Sequence, residues 1–217
     1  MRQIVLIIYS ITTLAFACSS KHVSEKQAEA VIMPADTTGL KKAYFAAGCF
    51  WCVEGIFEAV KGVKEVVSGY AGGSASTASY KKVSAGVTEH AEAVEIYYDP
   101  KIISYETLLV AFFDSHDPTT LNRQGPDYGR QYRSMILYQK EEEKKLAEAL
   151  INKINQSGQY KEKVVTEVVP FDAFYPAEDY HQDYKKRNPD NSYIQKVSVP
   201  RFIKFSDLHP ELLKEKK

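Results

Sequence analysis

The chain has 217 residues, of which 44% are hydrophobic, and its 28 basic residues balance its 28 acidic ones. This composition is typical of one globular domain of moderate size and excludes a disordered chain. Because there is no basic excess to attract phosphate groups, we expect no binding of nucleic acid.

The first seventeen residues follow the pattern of a secretory signal peptide. A basic start at Arg2 precedes an apolar run from Ile4 to Ala17, which is too short to span a membrane comfortably. The small-residue exit before Cys18 also resembles a bacterial lipoprotein signal, in which the cysteine after the cleavage point carries the lipid. We therefore predict export from a bacterial cytoplasm, as a periplasmic protein or as a lipoprotein anchored to the membrane at Cys18. An uncleaved apolar anchor is the alternative.

Residues 18–40 are predicted to be a tether, because they are mostly small and polar and lack a sustained period. One domain is expected from residue 41 to residue 217, with a charged C-terminal tail. It starts with a predicted strand, KKAYFAAG, that ends at Gly48. Apolar residues spaced i, i+3, i+4 and i+7 from Val53 then predict an amphipathic helix that ends near Gly62.

Strands and helices are mixed along the rest of the domain, which predicts an α/β fold without internal repeats. Strands are predicted over residues 63–73, 90–100, 132–138 and 163–171, and helices over residues 104–117, 140–158 and 176–189. Ser104 is expected to cap the first of these helices and Gly158 to end the second. Residues 118–131 have no periodicity, and a loop of that length is more often functional than accidental.

The stretch FAAGCFWCVEGIFEAV contains two of the three cysteines, Cys49 and Cys52. If a helix begins at Cys49, unpaired backbone N–H groups and the helix dipole should lower the pKa of that thiol. Cys52 follows one helical turn later, at a Cα separation of about 5 Å that a disulfide tolerates. A nucleophile with a resolving partner is therefore plausible, whereas a bridge between such close neighbours would stabilise almost no chain.

Two other uses of the cysteine pair are weaker. Zinc needs further ligands, and His90, His116 and His181 are scattered without a metal-binding spacing. A C-x-x-C pair also occurs in thioredoxin-like oxidoreductases. Here, however, the inner residues are Phe50 and Trp51, which suit a wall for an apolar substrate group better than a surface for exchanging protein disulfides.

Six segments together resemble the peptide methionine sulfoxide reductases of the A type: GCFW with the acidic residue that follows it, GYAGG, HAEAVEIYYDP, ISYETLL, FFDSHDPTTLNRQGPDYGRQYRS and AEDYHQDY. The resemblance runs from about Tyr44 to Pro189. It implies a two-layer sandwich with a central mixed β-sheet flanked by helices. It also implies reduction of the S epimer of methionine sulfoxide, free or in proteins, by a monomer without metal or other cofactor.

The resemblance implies roles for seven residues of this sequence. Cys49 is the expected nucleophile, and Glu92 is the expected acid for the sulfoxide oxygen. The remaining five are the apolar pocket for the methyl group and the polar residues around the oxygen, namely Phe50, Trp51, Tyr80, Asp127 and Tyr132. Without the resemblance, the tyrosines could lie anywhere and Asp127 could simply shape a turn.

The residues independently support the acid role of Glu92. In a strand from His90, Glu92 shares one face with Val94, Ile96 and Tyr98. A carboxyl group on an apolar face should be desolvated, with a raised pKa, as a general acid near neutral pH requires. We expect His116, His181 and Arg123 to organise the loop and the fold instead.

Two features depart from the family pattern. Glu89 stands where glycine is usual before HAE, which puts the local turn in doubt. No cysteine follows Cys52, so Cys52 is the only nearby residue that could resolve a Cys49 sulfenic acid as a disulfide, which a thioredoxin-like reductant would then reduce. A general thiol-disulfide oxidoreductase and a non-catalytic surface lipoprotein are the alternative functions.

Overall fold

The computed structural model describes residues 37–215. The predicted signal peptide, Cys18 and all but the end of the predicted tether lie outside the described residues. Among residues 37–215, no helix combines the length and the hydropathy needed to cross a bilayer.

A six-stranded sheet forms the centre of the described part, in the order β7-β6-β1-β3-β2-β8. The sheet is mixed, because β6 and β7 are parallel and the other neighbours are antiparallel. A separate hairpin of β4 and β5 lies within the stretch that has no sequence periodicity. The strands are β1 Lys41–Ala47, β2 Val63–Ala71, β3 Ala91–Tyr98, β4 Arg123–Gln124, β5 Asp127–Tyr128, β6 Ser134–Tyr138, β7 Glu167–Pro170 and β8 Phe174–Pro176.

The helices follow the apolar periodicity of the sequence where they are long. Ser104 caps α3 by accepting a hydrogen bond from the N–H of Thr107 at 3.0 Å, and Gly158 ends α4 in the left-handed conformation, as predicted. The helices are α1 Phe50–Phe57, α2 Tyr80–Ser84, α3 Tyr105–Asp114, α4 Glu141–Ser157, α5 Tyr184–Arg187 and α6 Val199–Leu208. A five-residue π-helix, Ile194–Ser198, leads into α6.

The two faces of β3 divide the core into two layers. Val94 and Ile96 point into the larger cluster, which holds the buried side chains of the helices. Ala91 and Ala93 point into a smaller cluster on the opposite face, covered by the loop and strand residues around Phe174. The helical layer therefore packs on one face of a mixed sheet, which confirms the predicted two-layer α/β sandwich.

The predicted elements near the C-terminus are partly wrong. Of the strand predicted over residues 163–171, only Glu167–Pro170 forms a strand. The helix predicted from Pro176 does not start there, because Pro176 ends β8 opposite Gly69 and Asp183 adopts a positive φ of 53°. A residue in that left-handed conformation interrupts a helix, so only the short α5 forms.

Candidate active site

A tight turn between β1 and α1 presents Cys49. Gly48 has a φ of +82°, and a Cβ atom at this position would lie 2.5 Å from the Cβ of Gln124. Glycine is therefore the residue that fits both the conformation and the close approach. Cys49 follows as the N-cap residue of α1, and its carbonyl accepts the N–H groups of Cys52 and Val53 at 3.1 and 3.4 Å.

Beside this turn lies a cavity of about 180 Å³. It is lined by Cys49, Phe50, Trp51, Tyr80, Glu92, Asp127, Tyr132 and Tyr193. The structure thus brings all seven residues of the family resemblance to one small cavity, although they come from five separate segments of the chain. Tyr193 is the lining residue that sequence reasoning missed, since its segment shows no motif. A wider cavity of about 370 Å³ shares Asp127 and Tyr193 with it.

Glu92 supplies an acidic proton to the cavity. Its side chain is only 2% exposed, and its Oε2 accepts the N–H of Phe50 at 3.1 Å. Burial raises the pKa of Glu92 to about 8, against the opposing effect of the Phe50 hydrogen bond, and the nearby charge of Asp127 contributes to the rise. Glu92 is therefore protonated at neutral pH, as its place on the apolar face of the strand predicts.

Three tyrosine hydroxyls surround the same space. Burial raises the pKa of Tyr80 to about 12, and burial together with the charge of Glu92 also raises the pKa of Tyr132. Both hydroxyls thus keep their protons and can donate hydrogen bonds. The third, Tyr193, donates its hydrogen bond to Asp127, whose pKa is raised by burial.

The prediction that the pKa of Cys49 is lowered is wrong. Burial raises the pKa of Cys49 well above its ordinary value, and Cys52 and Glu92 raise it further. The pKa of Cys52 is lowered to about 6, first by a hydrogen bond from Cys49 and, against burial, by the charge of Arg201 and the hydroxyl of Ser198. The prediction failed because Cys49 is only 7% exposed and the first N–H of α1 is bound to Glu92.

Cys52 lies beneath the cavity, one turn further along α1. Both cysteines are free rather than joined in a disulfide. The Sγ of Cys52 lies 2.8 Å from the Oγ of Ser198, and its side chain is 2% exposed. The hydrogen bond from Cys49 and the Ser198 hydroxyl both favour the thiolate form of Cys52.

Aromatic contacts hold the apolar wall of the cavity. Trp51 stacks on Tyr184 with 3.7 Å between ring centroids and an angle of 7° between the planes. Its indole Nε1 donates to His181 Nδ1 at 3.1 Å. Burial lowers the pKa of His181 to about 4, so this histidine is neutral and acts as the acceptor. His181 therefore positions Trp51.

The other residues that were expected to organise the loop also make structural contacts. His116 bonds the carbonyl of Phe112 and the hydroxyl of Ser134, at 2.8 and 2.7 Å. Arg123 donates to the carbonyl of Gly125 at 3.0 Å within the hairpin. At the unusual position before β3, Glu89 pairs with Arg130 at 2.5 Å, and Glu92 keeps its place in the cavity. Within residues 37–215 there is no group of three or more potential ligands placed to hold a metal ion.

The site combines two cysteines one helical turn apart with a protonated carboxylic acid and an apolar wall. These features define a thiol-dependent oxidoreductase. Its substrate is expected to carry a small apolar group and an oxygen atom that accepts a proton. The family model described as peptide methionine sulfoxide reductase matches residues 41–211. The chain therefore belongs to the peptide methionine sulfoxide reductase family, and it is an oxidoreductase that reduces methionine sulfoxide to methionine.

Relatives support this assignment across most of the chain. Peptide methionine sulfoxide reductase MsrA 2 of Synechocystis sp. is 50% identical over 186 residues, which are 84% of this chain and 87% of that protein. The MsrA of Pasteurella multocida is 49% identical over 76% of this chain and 93% of its own length. Among solved structures, methionine sulfoxide reductase A of Corynebacterium diphtheriae is 33% identical with a TM-score of 0.63, covering 70% of this chain and 77% of its own.

Proposed function

We propose that Cys49, Glu92 and Cys52 reduce the S epimer of methionine sulfoxide, free or in proteins, in two chemical steps. The observation that carries this proposal is that a buried thiol and a carboxylic acid with a pKa of about 8 line the same cavity of about 180 Å³. A thiol that attacks sulfur needs an acid that protonates the departing oxygen, and both groups reach the space where one sulfoxide would sit.

In the first step, the sulfur of Cys49 attacks the sulfoxide sulfur. Glu92 gives its proton to the sulfoxide oxygen, with Tyr80 and Tyr132 as hydrogen-bond donors to that oxygen. Cys49 gives up its own proton to the neighbouring Cys52 thiolate, with which it already shares a hydrogen bond. Methionine leaves, and the oxygen atom remains on Cys49 as a sulfenic acid.

The walls of the cavity favour one configuration at sulfur. The methyl group fits against Phe50 and Trp51, and the oxygen faces Glu92 on the polar side. Because the attacking Cys49 fixes a third direction, the direction of the remaining substituent on sulfur is set as well. The resemblance to the A-type reductases favours the S epimer as the form that fits.

In the second step, Cys52 releases the proton that it took from Cys49, and its thiolate attacks the sulfur of the Cys49 sulfenic acid. An S–S bond forms, the S–O bond breaks, and the oxygen leaves as water after taking up a proton. The pair has then lost two electrons, which have reduced the sulfoxide. We propose that an external dithiol of the thioredoxin type returns these electrons, since a disulfide between neighbours is the form that such a reductant attacks.

The cavity argues against a general disulfide reductase. Cys49 lines a cavity of about 180 Å³ with apolar rings on one side and a carboxylic acid on the other, and this lining matches a methyl sulfoxide better than a disulfide. We also propose export and lipid attachment at Cys18, and the pattern of residues 1–18 supports both.

The test uses dabsyl-labelled methionine sulfoxide as separate S and R epimers, with dithiothreitol as reductant and insulin disulfides as a competing substrate. We expect the S epimer to be consumed, with the R epimer and insulin left unchanged. Consumption of the R epimer would contradict the assigned configuration. Reduction of insulin alone would favour the general oxidoreductase, and no reaction at all would favour the non-catalytic lipoprotein.

A further inference from the structure

The C-terminal segment passes behind Cys52 and carries three polar residues to it. The π-helix Ile194–Ser198 runs directly into α6, whose second residue is Pro200. Because proline has no N–H, it cannot donate to the carbonyl four residues earlier, so the regular helical ladder is interrupted here. Such single π turns occur often at functional sites. This one places Tyr193, Ser198 and Arg201 on the side of the helix that faces the cysteines.

Ser198 makes the closest of these contacts. Its hydroxyl lies 2.8 Å from the Sγ of Cys52, and its side chain is only 1% exposed. A buried hydroxyl needs a hydrogen-bond partner, and a thiolate can only accept. Either group can donate while Cys52 is a thiol. Once Cys52 is a thiolate, the Ser198 O–H group must donate, and the contact is then worth most.

Arg201 fixes the position of this segment. Its guanidinium donates to the carbonyl of Ala47 at 2.9 Å and to the carbonyl of Ser115. Ala47 is the last residue of β1, two residues before Cys49. The turn that carries Cys49 and the helix that carries Ser198 are therefore joined by one half-buried cation.

We propose that Ser198 is a positioning residue for the second step of the reaction, which holds Cys52 as the thiolate that attacks the Cys49 sulfenic acid. This inference rests on the proposed function. In the step concerned, the Cys52 thiolate forms the S–S bond, the S–O bond of Cys49 breaks, and the oxygen leaves as water with a proton. No covalent bond of Ser198 forms or breaks in this step, and its hydroxyl acts only through the hydrogen bond to Cys52.

Several charged or titratable groups face Cys52 from the elements around it: Cys49, Glu92, Lys185, Tyr193 and Arg201. They remain in place when Ser198 is replaced, so the effect of its hydroxyl can be isolated. Loss of one hydrogen bond to an anion should raise the pKa of Cys52 by about one. In the reduced pair this pKa is about 6, with the hydrogen bond from Cys49 as the largest cause.

A higher pKa of Cys52 has opposite effects on the rate of disulfide formation at low and high pH. At pH 5.5, the thiolate fraction of Cys52 should fall about eightfold, whereas the less acidic thiolate is about threefold more nucleophilic. Disulfide formation should therefore slow about threefold at pH 5.5 and quicken about threefold at pH 8.5, where both forms are ionised. A merely structural defect would slow the step at both pH values.

The experiment measures the second step in the full chain with Cys18→Ala in every variant. Reduced protein is mixed with one equivalent of S-methionine sulfoxide, quenched with dimedone at intervals, and analysed by intact mass. The variants are Ser198→Ala, Ser198→Thr, which retains a hydroxyl, and Ser206→Ala as the matched control on α6. We expect Ser198→Ala to form the disulfide more slowly than wild type at pH 5.5 and faster than wild type at pH 8.5. The other two variants should follow wild type at both pH values.

Two results would overturn the proposal. One is a Ser198→Ala profile that stays parallel to the Ser206→Ala profile at every pH. The other needs no variant: thiolate absorbance near 240 nm in the wild type should show one thiol that titrates near pH 6, and its absence would mean that Cys52 is not held as a thiolate. If the wild type releases methionine but forms no disulfide between Cys49 and Cys52, the proposed second step fails as well, which distinguishes the two failures.

Discussion

Replacing Glu92 by glutamine removes one titratable group from the cavity and keeps an oxygen that can accept the N–H of Phe50. Because glutamine cannot deliver a proton as an acid, we expect turnover to fall by roughly 10²–10⁴. The same substitution should make the protein more stable at neutral pH. Loss of activity with a gain in stability distinguishes removal of a desolvated functional group from damage to the fold.

The magnitude follows from the pKa of Glu92, which is about 8 in the folded protein against an ordinary value of 4.5. Below pH 4.5 both folded and unfolded chains hold the proton, so the group costs nothing. As the pH rises from 4.5 towards 8, only the unfolded chain loses the proton, and each pH unit lowers the stability of wild type by about 1.4 kcal/mol. At pH 7 Glu92→Gln should therefore be more stable than wild type by about 3 kcal/mol.

Urea denaturation of the reduced proteins at pH 4, 5.5 and 7 measures this difference. We expect the unfolding free energies of Glu92→Gln and wild type to agree at pH 4 and to separate progressively towards pH 7. Glu148→Gln, at an exposed position on α4, is the matched control and should follow wild type. Equal stabilities at pH 7, or a turnover that survives the substitution, would refute the acid role of Glu92.

Three further outcomes are expected. The pH dependence of kcat/KM should be bell-shaped, with limbs near pH 6 and pH 8, as Cys52 gains a proton at low pH and Glu92 loses one at high pH; a flat profile from pH 5 to 9 would contradict this. Trp51→Ala should raise KM for the dabsyl substrate roughly tenfold, and Tyr184→Ala should raise it less, because the stacked indole loses only its support. In bacteria that make the chain with its own N-terminus, palmitate should label the protein and Cys18→Ala should abolish the label; an unlabelled, soluble wild type would indicate ordinary secretion.

Local patterns in the sequence predicted the longer helices correctly. The helix capped at Ser104 and the helix ended at Gly158 are both present, because apolar spacing and end signals agree there. The secondary structure of the segment after Phe174 was not predicted correctly, because tertiary contacts rather than local conformational preferences determine its backbone conformation. Asp183, for example, adopts its positive φ where its N–H donates to the buried Oε1 of Glu54 at 3.0 Å.

The candidate site could be predicted residue by residue only through the family resemblance. Glu92 is the exception, since strand alternation alone places it on the apolar face and predicts its raised pKa. The ionisation of the cysteines could not be predicted in this way. It depends on the burial of Cys49 and on Ser198 and Arg201, which are more than 140 residues away along the chain and carry no motif.

The most direct test of the mechanism is a single turnover of reduced Cys52→Ser and Cys49→Ser with S-methionine sulfoxide, followed by intact mass and peptide mapping. Wild type should form methionine, lose two protons and yield a peptide that joins Cys49 to Cys52. Cys52→Ser should still form one equivalent of methionine, but more slowly, because the thiolate that accepts the Cys49 proton is lost. It should also gain one oxygen atom at Cys49 and turn over poorly with thioredoxin, whereas Cys49→Ser should form no methionine. Methionine formation by Cys49→Ser, or thioredoxin-driven turnover of Cys52→Ser at the wild-type rate, would contradict the assigned roles of the two cysteines.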